Sequence, residues 1–329
     1  MGLIKNFITR NISKEYGTEL ERKIRKEIFS TLGDQIVTTD KLNEAIGKVL
    51  SGVSGVATKH EIIIGDHHKE MTGVFHEKFD LVLKMVSSDI PVFLQGPAGS
   101  GKNVICKQVS EALDLGFYFT NAVTQEYKLT GFIDAMGKYH ETEFYKAFKD
   151  GGLFFLDEID ASIPEVLVIL NAAIANRYFD FPCGKIEAHP NFRIIAAGNT
   201  FGTGANTVYT GRFSLDGASL DRFGVIEIDY DENIEKYLTY GDEELLEFCY
   251  QFRSIVKQAG INCIFSYRAL SNITKLKGNL DVTSRLKICL TKELGKDDLN
   301  IIYGKLSEHF TSDKNKYVKG FRRLLTTKI

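Results

Sequence analysis

The sequence has little that would mark a secreted or disulfide-bonded protein. Its 329 residues include five cysteines, with no CxxC pair and no metal-like spacing to histidine. That pattern fits a reducing compartment and indicates cysteines that serve packing. These residues are Cys106, Cys183, Cys249, Cys263 and Cys289. The first residues, MGLIKNFITRNISKEY, carry charges where a signal peptide needs an apolar segment, so we expect a cytoplasmic protein.

Long apolar runs and an excess of one charge are also missing. No segment approaches the roughly 18 apolar residues that cross a bilayer, so we expect no membrane association. Lys and Arg number 41 and Asp and Glu number 43, which gives a formal net charge of -2. This balance excludes a global basic field that would make nucleic acid an obligatory partner, and it leaves a local basic patch open.

The patterning divides the chain into four regions. Residues 1–58 carry apolar positions at helical spacing, which predicts a helical N-terminal region. Between residues 59 and 232, short apolar runs alternate with helical patterns, which predicts an α/β domain with a parallel sheet. Residues 233–312 return to helical spacing and predict a separate helical domain, and residues 313–329 form a basic C-terminal tail.

Five apolar, β-branched or aromatic runs predict buried strands of the sheet. They are Pro91–Leu94, Phe117–Thr120, Leu153–Leu156, Phe192–Ala196 and Val225–Ile228. In the helical domain we expect three helices to end at glycines, because glycine readily adopts the left-handed conformation that closes a helix. Those glycines are Gly260, Gly278 and Gly295.

The basic tail allows three interpretations. Residues 313–329 hold a single acid against a group of basic residues, namely Lys314, Lys316, Lys319, Arg322, Arg323 and Lys328. The segment is a solvated tail, an anion-binding arm or a docking helix, and charge alone does not decide among them.

A glycine-rich loop stands between the first predicted strand and a helical pattern. Its residues are Gly96, Pro97, Ala98, Gly99, Ser100, Gly101, Lys102 and Asn103. Small residues let backbone N–H groups converge on phosphate oxygens, and Lys102 can reach the β- and γ-phosphates. Because a strand precedes this loop and a helix follows it, the loop predicts binding of a nucleoside triphosphate, ATP or GTP.

Asn103 departs from the usual pattern of such loops. Ser or Thr is expected at this position, where the hydroxyl ligates Mg²⁺. An amide oxygen can also ligate Mg²⁺, but the side chain is longer and the geometry must differ. The sequence therefore predicts binding more strongly than efficient hydrolysis.

A second motif places two carboxylates at the end of an apolar strand. In GGLFFLDE, Asp157 is positioned to hold Mg²⁺ and Glu158 to polarise a water molecule, as in a Walker B motif. The alternative is that acids here only cap the next helix, a role open to Asp160 or Ser162 ahead of Pro164.

Three further polar residues follow in order. Asn199 ends the fourth predicted strand, where its amide can reach the γ-phosphate or the attacking water. Arg222 lies in Asp-Arg-Phe just before the fifth strand, and Arg268 opens a helix of the C-terminal domain. Each arginine alone is commonly a surface or paired residue, so the order of the motifs carries more information than any single one.

That order resembles the AAA+ ATPases over about residues 70–295. Within this superfamily the chain is similar to the MoxR and cobaltochelatase small-subunit group of the dynein-related class. The similarity rests on GGLFFLDEID, FRIIAAGNTFGTGAN and GRFSLDGASLDRFGVIEIDYD. The resemblance implies a P-loop domain with a parallel five-stranded sheet flanked by helices, followed by a helical lid domain.

The resemblance also implies roles for individual residues. Five residues would act on the nucleotide bound by their own subunit: Lys102, Asp157, Glu158, Asn199 and Arg268. Asn199 would be sensor 1 and Arg268 would be sensor 2. Arg222 would be an arginine finger on the neighbour's γ-phosphate, which would make hydrolysis depend on assembly. Arg212 is a second candidate for an inter-subunit contact.

Cofactors and partners follow from the same resemblance. It implies ATP and Mg²⁺, a homo-oligomeric ring that we expect to be a hexamer, and a partner with a von Willebrand factor A domain. Such a ring would remodel a bound protein. Two alternatives stay open: a nucleotide-gated assembly switch with little turnover, motivated by Asn103, and a nucleic-acid motor of the restriction or translocase type, motivated by the basic tail and the charged N-terminal region.

Two segments between the motifs have their own interpretations. Tyr178–Glu187 predicts two short strands about a Pro-Cys-Gly turn. In the resembling clade a hairpin at this place faces the ring interior, and the alternative is a simple connection. Leu129–Gly152 is interpreted either as a pore-facing insertion or as plain packing.

Overall fold

A computed structural model describes residues 58–64, 67–205, 208–292, 294–310 and 315–326. The predicted helical region of residues 1–58 lies outside the described residues, apart from Thr58. The chain divides into two compact units. One comprises Glu61–Met71 and His76–Asp231, and the other contains the helical residues from Glu232 onward.

A parallel five-stranded sheet forms the centre of the first unit. Its strands are β1 (Val92–Gln95), β2 (Phe117–Thr120), β3 (Gly152–Leu156), β4 (Phe192–Gly198) and β5 (Gly224–Glu227). The order across the sheet is β5-β1-β4-β3-β2. All five predicted strands are confirmed, with ends that shift by at most two residues. Their continuous apolar runs are typical of strands covered on both faces.

Helices flank this sheet and supply the connections between its strands. They are α1 (Phe79–Ser87), α2 (Lys102–Ala112), α3 (Tyr127–Thr130), α4 (Glu143–Asp150), α5 (Pro164–Asn176) and α6 (Gly217–Leu220). The buried positions of α1 show why it packs here: Phe79, Val82, Leu83 and Val86 recur at three and four residues and share one face. The N-cap residue of α4 is Thr142, whose side chain accepts a hydrogen bond from the Tyr145 amide.

Aromatic side chains fill the core between the sheet and α4. Phe144 packs against Phe154 of β3 with ring centroids 5.1 Å apart, and Phe148 packs against Phe192 of β4 at 5.0 Å. All four rings are buried. Removing one such ring typically costs about 3–5 kcal/mol, so this cluster holds β3 and β4 firmly in place.

Two short hairpins project from the α/β unit. Tyr178–Phe181 pairs with Gly184–Glu187 in an antiparallel arrangement, which confirms the two strands predicted about the Pro-Cys-Gly turn. Cys183 in that turn is exposed, so its assignment to packing is wrong. A second hairpin pairs Phe132–Ile133 with Tyr139–His140. Thr58–Ile64 and His67–Gly73 form a further two-stranded sheet.

The second unit is helical as far as it is described. Its helices are α7 (Glu232–Leu238), α8 (Glu243–Ala259), α9 (Tyr267–Lys275), α10 (Val282–Cys289), α11 (Lys296–His309) and α12 (Lys316–Thr326). Gly260 closes α8 in the left-handed conformation, as predicted. The other two predicted glycine caps are wrong, because the C-cap residue of α9 is Leu276 and that of α10 is Leu290. Gly295 instead precedes α11 as its N-cap.

The basic tail proposed for residues 313–329 is corrected to a helix of this unit over the part that the structure describes. Tyr317 and Phe321 of α12 are buried in the same core as Phe248 and Phe252 of α8. Lys316 pairs with Asp242 and Glu244 at 3.0 and 2.8 Å. Of the three interpretations left open, the docking helix is the one observed, because apolar residues at helical spacing bury one face of the segment.

In the described part of the chain, no helix is long and apolar enough to cross a membrane.

Candidate active site

The glycine-rich loop lies between β1 and α2, at the carboxyl edge of the sheet. Gly99 and Gly101 have φ values of 71° and 91°, a region that glycine adopts without strain. A Cβ atom on Gly96 would stand 1.9 Å from the Ile228 carbonyl oxygen, so that position admits no side chain. The glycines therefore serve both the turn and a close approach between the ends of β1 and β5.

Lys102 is buried at the first residue of α2, with 6% of its surface exposed. Its ammonium donates hydrogen bonds to the Gly96 and Pro97 carbonyls at 2.7 and 3.0 Å and to Oδ1 of Asn199 at 3.1 Å. Burial lowers the pKa of Lys102 to about 8, against the opposing influence of Asp157 and Asp160. Within the described part of the chain no carboxylate is hydrogen-bonded to this buried ammonium, so it is suited to bind a phosphate, which would supply the negative charge.

Asn103 and Asp157 meet beside this lysine. Nδ2 of Asn103 donates to Oδ2 of Asp157 at 3.0 Å, and Oδ1 of Asp157 accepts from the Glu158 amide at 3.0 Å. The described residues contain no cluster of three or more His, Cys, Asp or Glu side chains that could hold a metal alone. Mg²⁺ commonly uses one or two protein oxygens together with phosphates and water, so the carboxylate and amide oxygens present here fit that ion.

Glu158 follows β3 in an unusual backbone conformation. Its φ and ψ angles are 54° and 43°, in the left-handed region that few residues other than glycine adopt. The side chain is 45% exposed. Such strain persists only where the surroundings enforce it and is concentrated at functional positions, which agrees with the role predicted for this carboxylate.

Asp160 connects the end of β3 to the end of β4. It is fully buried, and its Oδ2 accepts from the amides of Asn199 and Thr200 at 3.0 and 2.9 Å and from the Thr200 hydroxyl at 3.0 Å. The helix-capping role considered for Asp160 is therefore wrong, because Ile163 is the N-cap residue of α5 and provides no side-chain hydrogen bond.

The companion candidate for capping, Ser162, also has another role. Its hydroxyl accepts from the Val123 amide at 2.9 Å. It thus joins the segment after β3 to the segment after β2.

Arg212 reaches this site from the segment between β4 and α6. Its guanidinium lies 3.1 Å from Oε1 of Glu158 and 3.3 Å from Oδ1 of Asp160. Both contacts lie within its own chain, and the inter-subunit role considered for Arg212 stays a prediction. Three residues earlier, the Tyr209 hydroxyl accepts from the Ala98 amide of the glycine-rich loop at 2.9 Å. The sequence carried no signal for either contact.

Arg222 lies at the opposite edge of the sheet from the glycine-rich loop. It precedes β5, whose Gly224 pairs with Val92 at the start of β1, whereas the loop follows the end of β1. A four-residue strand spans about 13 Å, so Arg222 is separated from the loop of its own chain by roughly that length. A cavity of about 250 Å³ at this amino edge is lined by Arg222 together with Arg177 and Arg193.

Arg268 is exposed in the first turn of α9, in the helical unit. Its predicted role as sensor 2 stays a prediction. The structure thus brings Lys102, Asn103, Asp157, Glu158 and Asn199 together at one edge of the sheet, and it places Arg222 at the other.

Comparison with known proteins agrees with this architecture. Residues 91–223 match the AAA domain of the dynein-related subfamily. An uncharacterized protein of Staphylococcus aureus is 29% identical over 227 residues, which cover 62% of this chain and 84% of that protein. An uncharacterized protein of Staphylococcus epidermidis is 29% identical over 209 residues, covering 56% and 77% respectively.

Among solved structures, NtrX from Brucella abortus is one of the matches. The NtrX structure in complex with ATP has a TM-score of 0.38 and 16% identity, and the match covers 71% of this chain and 52% of NtrX. This chain thus spans about half the length of NtrX. The five-stranded parallel sheet, the glycine-rich loop and the family match together show an AAA+ α/β core, and residues 91–223 are similar to the AAA domain of the dynein-related subfamily.

Proposed function

We propose that this protein binds ATP with Mg²⁺ and hydrolyses it, and that it does so in a homo-oligomeric ring. The observation that carries the proposal is the gathering of Lys102, Asp157 and Glu158 at one edge of the sheet, beside a loop of glycines in left-handed conformations. These are the groups that phosphoryl transfer requires: a phosphate cradle, a magnesium ligand and a base.

Binding begins with the glycine-rich loop and Lys102. The triphosphate would draw the Lys102 ammonium away from the carbonyl oxygens of Gly96 and Pro97. Backbone amides at the start of α2 would donate to the same phosphates. Because Lys102 is already buried and held, little side-chain entropy is lost when the phosphate arrives.

Asp157 and the Oδ1 atom of Asn103 would hold Mg²⁺ against the β- and γ-phosphates. The ion, when bound, neutralises charge that develops on the transferred phosphoryl group. To ligate the ion with its carbonyl, Asn103 must give up the hydrogen bond from its Nδ2 to Asp157. Asn103 and Asp157 therefore fit the ion, but binding it breaks the hydrogen bond between them. A Ser or Thr at position 103 has no amide and would not form that bond.

Glu158 is the general base in this proposal. Its carboxylate would accept a proton from the water that attacks the γ-phosphate, and Asn199 would orient that water or the phosphate from the neighbouring strand end. Arg222 would act on the γ-phosphate bound by a neighbouring copy, because it lies at the amino edge of its own sheet. Arg268 would complete the site as sensor 2.

At the level of the assembly, we propose a ring that remodels a protein, with a hexamer as the expected size. A partner with a von Willebrand factor A domain is the candidate, by resemblance to the MoxR and cobaltochelatase group. The Glu158→Gln protein, loaded with ATP and used as bait, tests this: recovery of such a partner supports it, and ATP-dependent rings that retain none count against it.

The hydrolysis proposal is tested by comparing the intact chain with Lys102→Ala. We expect phosphate release from ATP by the intact protein and loss of ATP binding in the variant, because the main cationic contact to the phosphates is gone. Titration with GTP as a competitor decides the base preference. An intact protein that forms rings with ATP but releases no phosphate would refute hydrolysis and favour the alternative that follows.

A nucleotide-gated switch is the second candidate, and one contact favours it. The Asn103 amide is bonded to Asp157, the residue expected to ligate Mg²⁺. If that bond persists with ATP bound, the ligand set is incomplete and turnover is slow. Such a protein would assemble and disassemble with nucleotide occupancy rather than with hydrolysis.

A nucleic-acid motor is the third candidate, now based on a helix face. Lys319, Arg322 and Arg323 are exposed on α12, at three- and four-residue spacing. DNA binding that weakens with salt and is lost when these three residues are replaced by alanine would support it. Binding that is absent, or that survives the substitutions, would exclude this face.

A further inference from the structure

Arg212 links the proposed general base to the centre of the site. Its guanidinium contacts Oε1 of Glu158 and Oδ1 of Asp160, and its side chain is only 12% exposed. A guanidinium is planar and presents several N–H donors in a fixed arrangement, so one side chain can hold two carboxylates at a set separation. A mobile surface residue would not be restrained in this way.

One oxygen of Glu158 stays available for chemistry. Arg212 engages Oε1, and Oε2 makes none of the side-chain contacts found among the described residues. A general base needs this arrangement, in which one part of the carboxylate is fixed and the other can accept a proton. The left-handed backbone conformation of Glu158, two residues after the end of β3, sets the direction in which this side chain leaves the chain.

The second carboxylate extends the connection to sensor 1. Oδ2 of Asp160 accepts from the backbone amides of Asn199 and Thr200, while Oδ1 faces Arg212. The Asn199 side chain in turn accepts from Lys102. A continuous series of polar contacts therefore runs from the phosphate-binding lysine to the carboxylate of Glu158.

We propose that Arg212 is a positioning residue that fixes the Glu158 carboxylate for proton transfer and aligns it with Asn199 through Asp160. The inference rests on the proposed ATP hydrolysis and assigns a residue to it that the motifs do not include. Arg212 acts through Glu158, within its own chain, and does not need to touch the nucleotide.

Arg212→Ala tests the role. We expect kcat to fall by about 100-fold, because displacement of a reacting group by an ångström has that effect. The affinity for ATP, measured by calorimetry in the Glu158→Gln background to prevent turnover, should be unchanged. Arg212→Lys keeps the charge and one contact, and should recover part of the lost kcat.

A double substitution separates positioning from direct contact with the nucleotide. In Glu158→Gln protein, Arg212→Ala should cause no further loss in the single-turnover rate, because the base that it positions is already absent. Lys257→Ala, which removes an exposed cation from α8, is the control and should keep the intact kcat. A further loss in the Glu158→Gln background, weaker ATP affinity or faster turnover in Arg212→Ala would each overturn the inference.

The outcomes distinguish this inference from the proposed function. An intact protein that hydrolyses ATP while Arg212→Ala keeps full kcat refutes the positioning role alone. An intact protein without hydrolysis refutes both. If circular dichroism shows that Arg212→Ala does not fold, Arg212→Lys carries the same comparisons, with a reduced kcat at unchanged affinity as the expected result.

Discussion

The polar side chains at the two edges of the central sheet are arranged differently. At the carboxyl edge, a series of hydrogen bonds within one chain runs from Lys102 through Asn199 and Asp160 to Arg212. At the amino edge, Arg222 lines an open cavity and donates a hydrogen bond to the Ala218 carbonyl of its own helix turn. Among the described residues, the first edge gathers most of the proposed site, whereas Arg222 at the second edge lies apart from it.

Charged side chains are therefore stabilised in different ways at the two edges. Buried charges stay in place only when they are paired or hydrogen-bonded, which is the case along the carboxyl edge. Arginines at the amino edge pair with Asp89, which lies 3.6 Å from Arg177 and 3.2 Å from Arg193. Among the described residues, Arg222 forms no ion pair with that aspartate, which is compatible with the role proposed for it at the site of a neighbouring copy.

The largest expected effect is at the amino edge. Arg222→Ala should lower kcat by about 10³- to 10⁵-fold, the range for an arginine that neutralises a transition state in trans, while ATP affinity is retained. Steady-state phosphate release and calorimetry measure the two quantities.

Mixing variants sharpens that test. Arg222→Ala subunits keep Glu158, and Glu158→Gln subunits keep Arg222, so mixed rings contain some complete sites at subunit boundaries. Activity should reappear on mixing two inactive proteins. If it does not, although mixed rings form, the contrast between the edges is wrong.

At the carboxyl edge, Glu158→Gln should lower kcat by about 10²- to 10⁴-fold, the contribution of a general base. The amide keeps the shape of the side chain but cannot take the proton. Rapid-quench measurement of phosphate release checks the rate, and size-exclusion chromatography with ATP should show accumulated assemblies. Normal hydrolysis by this variant would mean that another group is the base.

The lowered pKa of Lys102 leads us to expect that nucleotide affinity depends on pH. Burial lowers its pKa to about 8, and phosphate binding favours the protonated form. Below pH 8 the ammonium is already present and affinity should be flat. Above that pH binding requires proton uptake, so affinity should fall by up to about tenfold per pH unit.

The control for this titration is Lys102→Arg. Its guanidinium stays charged across the range, so the slope above pH 8 should disappear even if binding is weaker. The measurement is equilibrium titration with a fluorescent ATP analogue from pH 6.5 to 9.5. The same slope in the arginine variant would assign the pH dependence to another group.

The smallest expected effect concerns Asn103. Asn103→Thr replaces the amide with a shorter hydroxyl and removes the bond from Nδ2 to Asp157. We expect kcat to rise by up to about tenfold, which corresponds to ~1.4 kcal/mol of transition-state stabilisation. The dependence of kcat on Mg²⁺ concentration checks whether the ion is the cause. A fall in kcat would show that the amide is the better ligand here.

Much of the sheet could be predicted because its signal is local. Buried parallel strands are continuous apolar runs, and Leu153–Leu156 or Phe192–Ala196 have no other plausible place in a fold. The glycine-rich loop is equally local, since its function depends on adjacent backbone amides. The two wrong glycine caps show the limit, because a glycine after a helical pattern marks a turn without fixing where the helix stops.

The contacts of Asp160 and Arg212 could not be predicted for a different reason. Arg212 and Glu158 are 54 residues apart in sequence, and neither periodicity nor composition relates them. The same holds for Tyr209 and Ala98, which are 111 residues apart. The packing of α12 was not predicted, because the segment was interpreted from its many lysines and arginines. Its apolar residues at helical spacing, such as Tyr317 and Phe321, were not considered.

The position of Arg222 has a consequence for how the protein would respond to its own abundance. If Arg222 acts on the nucleotide of a neighbouring copy, as proposed, a copy that is alone lacks the cation for the transition state, because Arg222 lies a strand's length from the loop of its own chain. Specific activity should then rise with total protein concentration and level off once rings are full. Dilution would act as an off switch, so the amount of protein made by the cell would itself set the rate of ATP consumption per copy.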